Sequence, residues 1–189
     1  IVLEAVKNDM IALKYVSDRL KNDYDVVKAA LDNYGSLEYV GEKLRSNKKL
    51  VLIAIKKNVY NFEFASDEIK NDKELVLKLL EDNSYIFEFI GQKLKNDFVV
   101  VMTALHNNGS LEHASEEMRN NRKIVLAAVE NFGSMLQYAS TDLKDDDEIV
   151  EIAVKKYYRY IKYASTRLQN DEKIKKLVSE SCNKYCLQE

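Results

Sequence analysis

Residues 47–70, NKKLVLIAIKKNVYNFEFASDEIK, and residues 121–144, NRKIVLAAVENFGSMLQYASTDLK, are two versions of one segment. Three columns carry its period through the chain. An Asp or Asn recurs at Asp23, Asn47, Asp72, Asp97, Asn121, Asp146 and Asp171, in steps of 24, 25, 25, 24, 25 and 25. A mostly aromatic column (Tyr15, Tyr39, Phe64, Phe89, His113, Tyr138, Tyr163) and an aliphatic one (Leu20, Leu44, Ile69, Leu94, Met118, Leu143, Leu168) keep the same steps. Self-similarity at a fixed short period means stacked repeats, because one such unit cannot bury its apolar face alone.

Within a repeat the apolar spacing is helical. Leu75, Val76, Leu79 and Leu80 come after Asp72, and Ile124, Val125, Ala128 and Val129 after Asn121. This is the one-faced pattern of a three-turn helix, and strand alternation is absent. The Asp or Asn stands at the N-cap, where its side chain can accept from the first free N–H groups. The third apolar position is Ala5, Ala30, Ala54, Leu79, Ala104, Ala128 and Ala153, small in six of seven repeats, which predicts close approach of neighbouring helices.

Gly35-Ser36, Gly109-Ser110 and Gly133-Ser134 predict tight turns, with Gly in a left-handed C-cap and Ser capping the next helix. In the two 24-residue repeats the missing residue falls in this turn, between Leu31 and Leu37 and between Leu105 and Leu111. A second helix is expected over stretches such as SLEYVGEKL, where Leu37, Val40 and Leu44 form an i, i+3, i+7 stripe. Its small member (Ser17, Gly41, Ser66, Gly91, Ser115, Ser140, Ser165) leaves two alternatives open: a later helix start capped by Ser, and a partly 3₁₀ element.

The reading is an all-α, right-handed α-solenoid of about seven two-helix repeats of 24–25 residues, with the array over 1–178 and a C-terminal tail over 179–189. Helices packed 8 to 10 Å apart make it roughly 70 Å long. With the pattern DxxIVLxAVxxNGxxLxYASxxLxND in hand, the chain resembles the short helical repeat known as domain-of-unknown-function family 4116. The likeness runs from residue 1 to about 178; residues 121–146 match the pattern closely, and the repeat from 72 to 96 departs from it with LKLL. The resemblance implies a helical array and no activity, cofactor or site residue.

Composition narrows the function. Lys+Arg at 29 against Asp+Glu at 31 gives a net charge of -2, so the chain lacks the basic excess of general nucleic-acid or anionic-membrane binders. No apolar run approaches the length of a membrane span. Cys182 and Cys186 lie four apart, one face of a helix without further metal ligands nearby, and read as thiols of a reducing, cytoplasmic compartment. His106 ends a helix and His113 fills the aromatic column. The run Asp145, Asp146, Asp147, Glu148 is what a helix start favours. No catalytic, metal or cofactor-binding residue emerges, and a non-enzymatic scaffold for protein–protein interaction is expected. A structural spacer is an alternative. The segment KKYYRYIKY, 155–163, supports a further one, binding of single-stranded RNA.

The candidate partner site is a stripe of acids on the second elements. Glu38, Glu63, Glu88 and Glu112 precede the aromatic column in four consecutive repeats, and Glu42, Asp67, Gln92 and Glu116 come four residues later. On a helix such pairs share a face. The expected partner is a basic peptide or helix. The chain is expected to be a monomer with an end-to-end contact through its N-terminal repeat, where Ile1, Val2 and Leu3 lack a preceding anchor. Lys175 and Ser179 are expected on a polar C-terminal face.

Overall fold

A computed structural model describes residues 1–186, with side chains to 183, and among these every regular element is helical. The main helices keep the period: α1 (Val2–Asn8), α2 (Tyr24–Asp32), α3 (Lys48–Lys57), α4 (Lys73–Asp82), α5 (Phe98–His106), α6 (Arg122–Asn131), α7 (Asp147–Lys156) and α8 (Glu172–Cys186). The chain divides into two compact halves, Ile1–Gly91 with α1–α4 and Gln92–Glu189 with α5–α8.

Each anchor caps its helix. The Asp23 carboxylate accepts from the N–H groups of Asp25 and Val26, both at 3.1 Å, and Asn47, Asp97 and Asn121 make the same pair of bonds. Asp72, Asp146 and Asp171 accept from Leu75, Ile149 and Ile174 at 3.2, 3.1 and 3.0 Å. The apolar faces of the capped helices are buried: Val26, Val27, Ala30 and Leu31 on α2, and Ile124, Val125, Ala128 and Val129 on α6. Each such Leu, Ile or Val contributes about 1.5–3 kcal/mol by leaving water. Ala30, Ala54, Ala104 and Ala153 are 0 % exposed, so a larger side chain there would have to push a neighbouring element away. Ala5 on α1 is exposed, as are Ile1, Leu3, Met10 and Ile11 beside it.

The turn after each main helix takes two forms, and one expectation about it needs correcting. In the 24-residue repeats Tyr34 (φ 63°) and Asn108 (φ 66°) occupy the left-handed region, one residue before the glycine. The Gly35 N–H then reaches the Ala30 carbonyl at 2.9 Å, and that of Gly109 reaches Ala104 at 2.7 Å, the long bond of a Schellman closure. Glycine is required for space and not for φ: a Cβ at either position would lie 2.7 Å from that carbonyl oxygen. The 25-residue repeats use their extra residue in extended conformation, at Asn58, Asn83, Phe132 and Tyr157, each donating to the carbonyl four residues back.

The second helix is not one helix. A 3₁₀ element of one or two turns leads into an extended break and then a further short turn; in the second repeat these are Leu37–Tyr39, then Val40 (φ -75°, ψ 139°) and Gly41 (φ -61°, ψ 145°), then Glu42–Leu44. Ala65-Ser66, Ala114-Ser115 and Ala164-Ser165 repeat the break. Of the alternatives the sequence leaves open, both hold together: the first part is 3₁₀, and the hydroxyls of Ser66, Ser115 and Ser165 cap the later start. The break exists because its N–H is committed elsewhere. Gly41, Ser66 and Gly91 donate to the carbonyls of Lys21, Arg45 and Lys70 in the preceding repeat, at 2.8, 3.1 and 2.8 Å. Ser115, Ser140 and Ser165 donate to Lys95, Arg119 and Lys144 at 3.0, 3.0 and 2.9 Å. A continuous helix would have turned these N–H groups inward along its own axis.

At the C-terminal end α8 runs across the boundary at 178 that the sequence suggests for a tail. Ile174 is buried, Lys175 and Ser179 are exposed, and the Ser181 hydroxyl donates to the Val154 carbonyl at 3.0 Å. Cys182 is half-buried; the Cys186 side chain lies outside the described residues.

Candidate functional site

All seven acids of the stripe are exposed: Glu38, Glu42, Glu63, Asp67 and Glu88 in the N-terminal half, Glu112 and Glu116 in the C-terminal half. The pairing inferred for them does not survive the break. Glu38 and Glu42 stand on different single turns separated by Val40 and Gly41, and Glu63 and Asp67 are separated by Ala65 and Ser66, so the i, i+4 face of a helix is not what joins them. What the 3₁₀ geometry brings together instead is i and i+3, which eclipse. Tyr60 and Glu63 share the side of Val59–Phe64, and Tyr85 and Glu88 that of Ser84–Glu88. Both rings are well exposed, Tyr60 at 55 % and Tyr85 at 67 %.

The turns are held from beneath. Phe62, Ile86 and Phe87 are buried within them, and the buried Asn61 side chain accepts from the Leu37 N–H at 2.7 Å while donating to Ala54. The aromatic column is half-buried at Tyr39, Phe64, Phe89, His113, Tyr138 and Tyr163 and exposed at Tyr15. Tyr60 meets Phe89 edge-on at 5.9 Å. Cations of the protein sit over several rings: Lys57 Nζ lies 4.8 Å from the Tyr34 centroid and Lys14 Nζ 5.7 Å from that of Tyr39.

In the C-terminal half the acids are differently engaged. A hydrogen bond with the Glu112 carboxylate, helped by burial, pushes the Tyr138 hydroxyl above its usual range. Glu116, Glu117, Tyr138 and Asp142, with Arg119, line an open groove of about 600 Å³. The run at 145–148 is bound into ion pairs, Arg122 with Asp146 at 2.8 Å and with Glu148, and Arg167 with Asp145 at 2.9 Å and Asp147 at 3.2 Å. Ser165 and Arg167 hold the Asp145 carboxyl below its ordinary value. Burial opposes ionisation of Asp146, but the Arg122 pair and the Ile149 N–H outweigh it and the net shift is downward. Lys173 lowers Glu151 against partial burial, with Lys155 assisting. In the N-terminal half Lys48 and the Leu75 N–H lower Asp72.

In the basic aromatic segment at 155–163 several rings and cations contact one another. Tyr157 meets Tyr158 and Tyr160 edge-on at 5.0 and 5.4 Å, Tyr160 stacks on Tyr163 at 6.3 Å, and Arg159 and Lys162 cover neighbouring rings. His106 Nδ1 lies 2.8 Å from the Met102 carbonyl oxygen in its own helix. Among the described residues no group of three His, Cys, Asp or Glu is arranged to hold a metal, and no helix is long and apolar enough to cross a membrane.

Sequence reasoning missed the Tyr–Glu pairs because it assigned helical spacing to a 3₁₀ turn; the recurrence of Tyr60 and Tyr85 four residues before Phe64 and Phe89 was the available signal. No curated protein and no solved structure matches the chain. One family model does, Domain of unknown function (DUF4116), over residues 1–45, 32–70, 72–119, 100–144 and 121–169. Its overlapping matches track the same tandem repeat whose caps, turns and breaks are described above, and the chain belongs to this DUF4116 family.

Proposed function

We propose that the chain is a non-enzymatic scaffold that works without a cofactor and holds a basic protein partner along the acidic edge of its second elements. The observation that carries this reading is the exposure of Glu38, Glu63 and Glu88 at one repeat position in three successive repeats of the N-terminal half, on turns whose backbone is fixed by the core. Like charges at that recurrence are complementary to a string of cations and steer its approach. The architecture assumed is a right-handed solenoid of about seven repeats over residues 1–178, which the unbroken 24- and 25-residue steps support; an extended particle in small-angle scattering checks it. A cytoplasmic location goes with this reading.

The test is charge reversal. Glu63→Lys with Glu88→Lys is expected to abolish capture of basic partners at low and moderate salt while leaving the melting transition in place, since neither side chain is in the core. Equal capture by parent and variant returns the edge to solvated surface and leaves the spacer reading.

A further inference from the structure

We infer that the open groove lined by residues 116–120 and 138–142 receives the C-terminal residue of a basic partner, a lysine or arginine whose α-carboxylate meets Arg119 and whose side-chain cation lies by Glu116 and Asp142. This deepens the basic-partner reading and rests on it. The groove lies wholly within the C-terminal half.

Arg119 is the residue that asks for an anion. The repeat gives its position a regular task, which is to close the break of its own repeat. Arg45 donates from Nε to the Val40 carbonyl at 2.8 Å and from Nη2 to that of Glu38 at 2.6 Å. Gln169 donates to the equivalent carbonyls of Ala164 and Lys162 at 2.8 and 3.5 Å. Arg119 stands at the same place in its repeat and does not take up these bonds: its Nε is buried with no hydrogen-bond partner. Among the described residues no carboxylate pairs with it either, although Glu116, Glu117 and Asp142 line the same groove. A charged donor left without an acceptor costs more than a neutral one, and a carboxylate entering the groove gives the guanidinium a charge-assisted bond.

The acids supply the other half of the recognition. Glu117 accepts from the Asn96 amide at 2.8 Å, and Glu112 is engaged by Tyr138. Glu116 and Asp142 are exposed, and their carboxylates have no partner among the described residues. Anions and a guanidinium that line one groove without meeting each other suit a ligand of both signs. A C-terminal lysine or arginine carries both on one residue, whereas an internal one has its carboxyl tied up in a peptide bond. At about 600 Å³ and open to solvent, the groove leaves room for the chain that precedes that residue.

The test is anisotropy of the peptide Gly-Ser-Gly-Gly-Lys, labelled with fluorescein at its N-terminus, on the full chain. The free acid is expected to bind about ten-fold or more tightly than the same peptide amidated at its C-terminus. Arg119→Gln is expected to erase that difference while keeping the melting transition, since glutamine closes the break at 169. Glu116→Gln with Asp142→Asn is expected to weaken both peptides and flatten their salt dependence. Equal binding of acid and amide by the parent overturns the role of the carboxylate, without recourse to any variant. A preference for the acid that survives Arg119→Gln overturns the role of Arg119. If free lysine binds as tightly as the peptide, the occupant is an amino acid and the partner's C-terminus is wrong. If no peptide binds, the inference falls, and charge-reversed capture at Glu63 and Glu88 decides the broader reading independently.

Discussion

The two halves build the same break from different residues. In the C-terminal half all three breaks carry serine, and each hydroxyl works in two directions. Ser140 donates to Asn120 at 2.7 Å and accepts from the Leu143 N–H at 3.3 Å; Ser115 does the same between Asn96 and Met118, and Ser165 between Asp145 and Leu168. In the N-terminal half Gly41 and Gly91 take two of the four positions. The neighbouring asparagine moves into the space a Cβ would fill, Asn22 Oδ1 to within 2.2 Å and Asn71 Oδ1 to within 2.1 Å of it. Asn71 Oδ1 ends buried with no hydrogen-bond partner. The main-chain bond across repeats is common to both halves, and the side-chain layer around it is what varies. Ion pairs occur in both halves, Lys28 with Asp32 and Lys48 with Asp72 in the N-terminal one, but in the C-terminal half they are shared, Arg122, Arg167 and Glu151 each meeting two partners.

The largest effect should come from removing the shared bond. Ser115 has φ -62°, after Ala114 at ψ 155°, a geometry that proline accepts. Ser115→Pro therefore suits the torsions but deletes the N–H and sets its Cδ against the Lys95 carbonyl oxygen, which lies 3.0 Å from that nitrogen, and is expected to destabilise the C-terminal half by about 3 kcal/mol or more. Hydrogen exchange resolved by half measures it; a loss no larger than that of Ser115→Ala would show that the side chain alone matters.

Deleting only the hydroxyl is the next step down. Ser140→Ala and Ser165→Ala should each cost about 1 kcal/mol through the lost cap. Chemical denaturation reads this, and Ser17→Ala, whose hydroxyl caps nothing in the structure, is the silent control.

The reverse exchange sharpens the comparison. Gly91→Ser should push Asn71 back to the place Asn96 and Asn120 occupy and supply the donor its Oδ1 lacks. Stabilisation of about 0.5–1 kcal/mol is expected, helped by the lower entropy of the unfolded chain. A lower melting temperature would mean that Asn71 has nowhere to retreat.

The smallest effect per group is that of acid, because the ion pairs are largely exposed. A carboxyl held below its ordinary value stabilises the fold as the anion; the contribution is complete above that ordinary value and disappears as pH falls through the folded one. Asp145, Asp146 and Glu151 are so held in the C-terminal half, and Asp72 in the other. As pH falls below about 4, exchange protection should therefore decline further in the C-terminal half. Equal decline would assign the pairs no role.

Much of this was legible in the letters. All seven anchors cap helices, the small column is buried from Ala30 to Ala153, and the deleted residue of the short repeats lies where a different closure is made. The left-handed residue was misplaced by one, because glycine at 35 and 109 answers a carbonyl and not a torsion. The broken second element was legible only as an alternative to a continuous helix, for two reasons. Leu37 and Val40 are buried on either path, so apolar spacing reports the side facing the core and not the backbone between. Ala-Ser also carries no breaker signal, and its N–H finds its partner in another repeat. The carboxylates were legible as surface; which neighbours they face depended on that turn.

The bond from the break of one repeat to the short helix of the one before runs between main chains, and it asks for no particular side chain at either end. A tandem duplication therefore arrives with its own donor and its own acceptor. Arrays of this kind can gain or lose whole repeats without matched substitutions elsewhere, while the outward residues of each copy vary without disturbing that bond. Frame slips of one residue are absorbed where the chain already owns two closures, after the main helix.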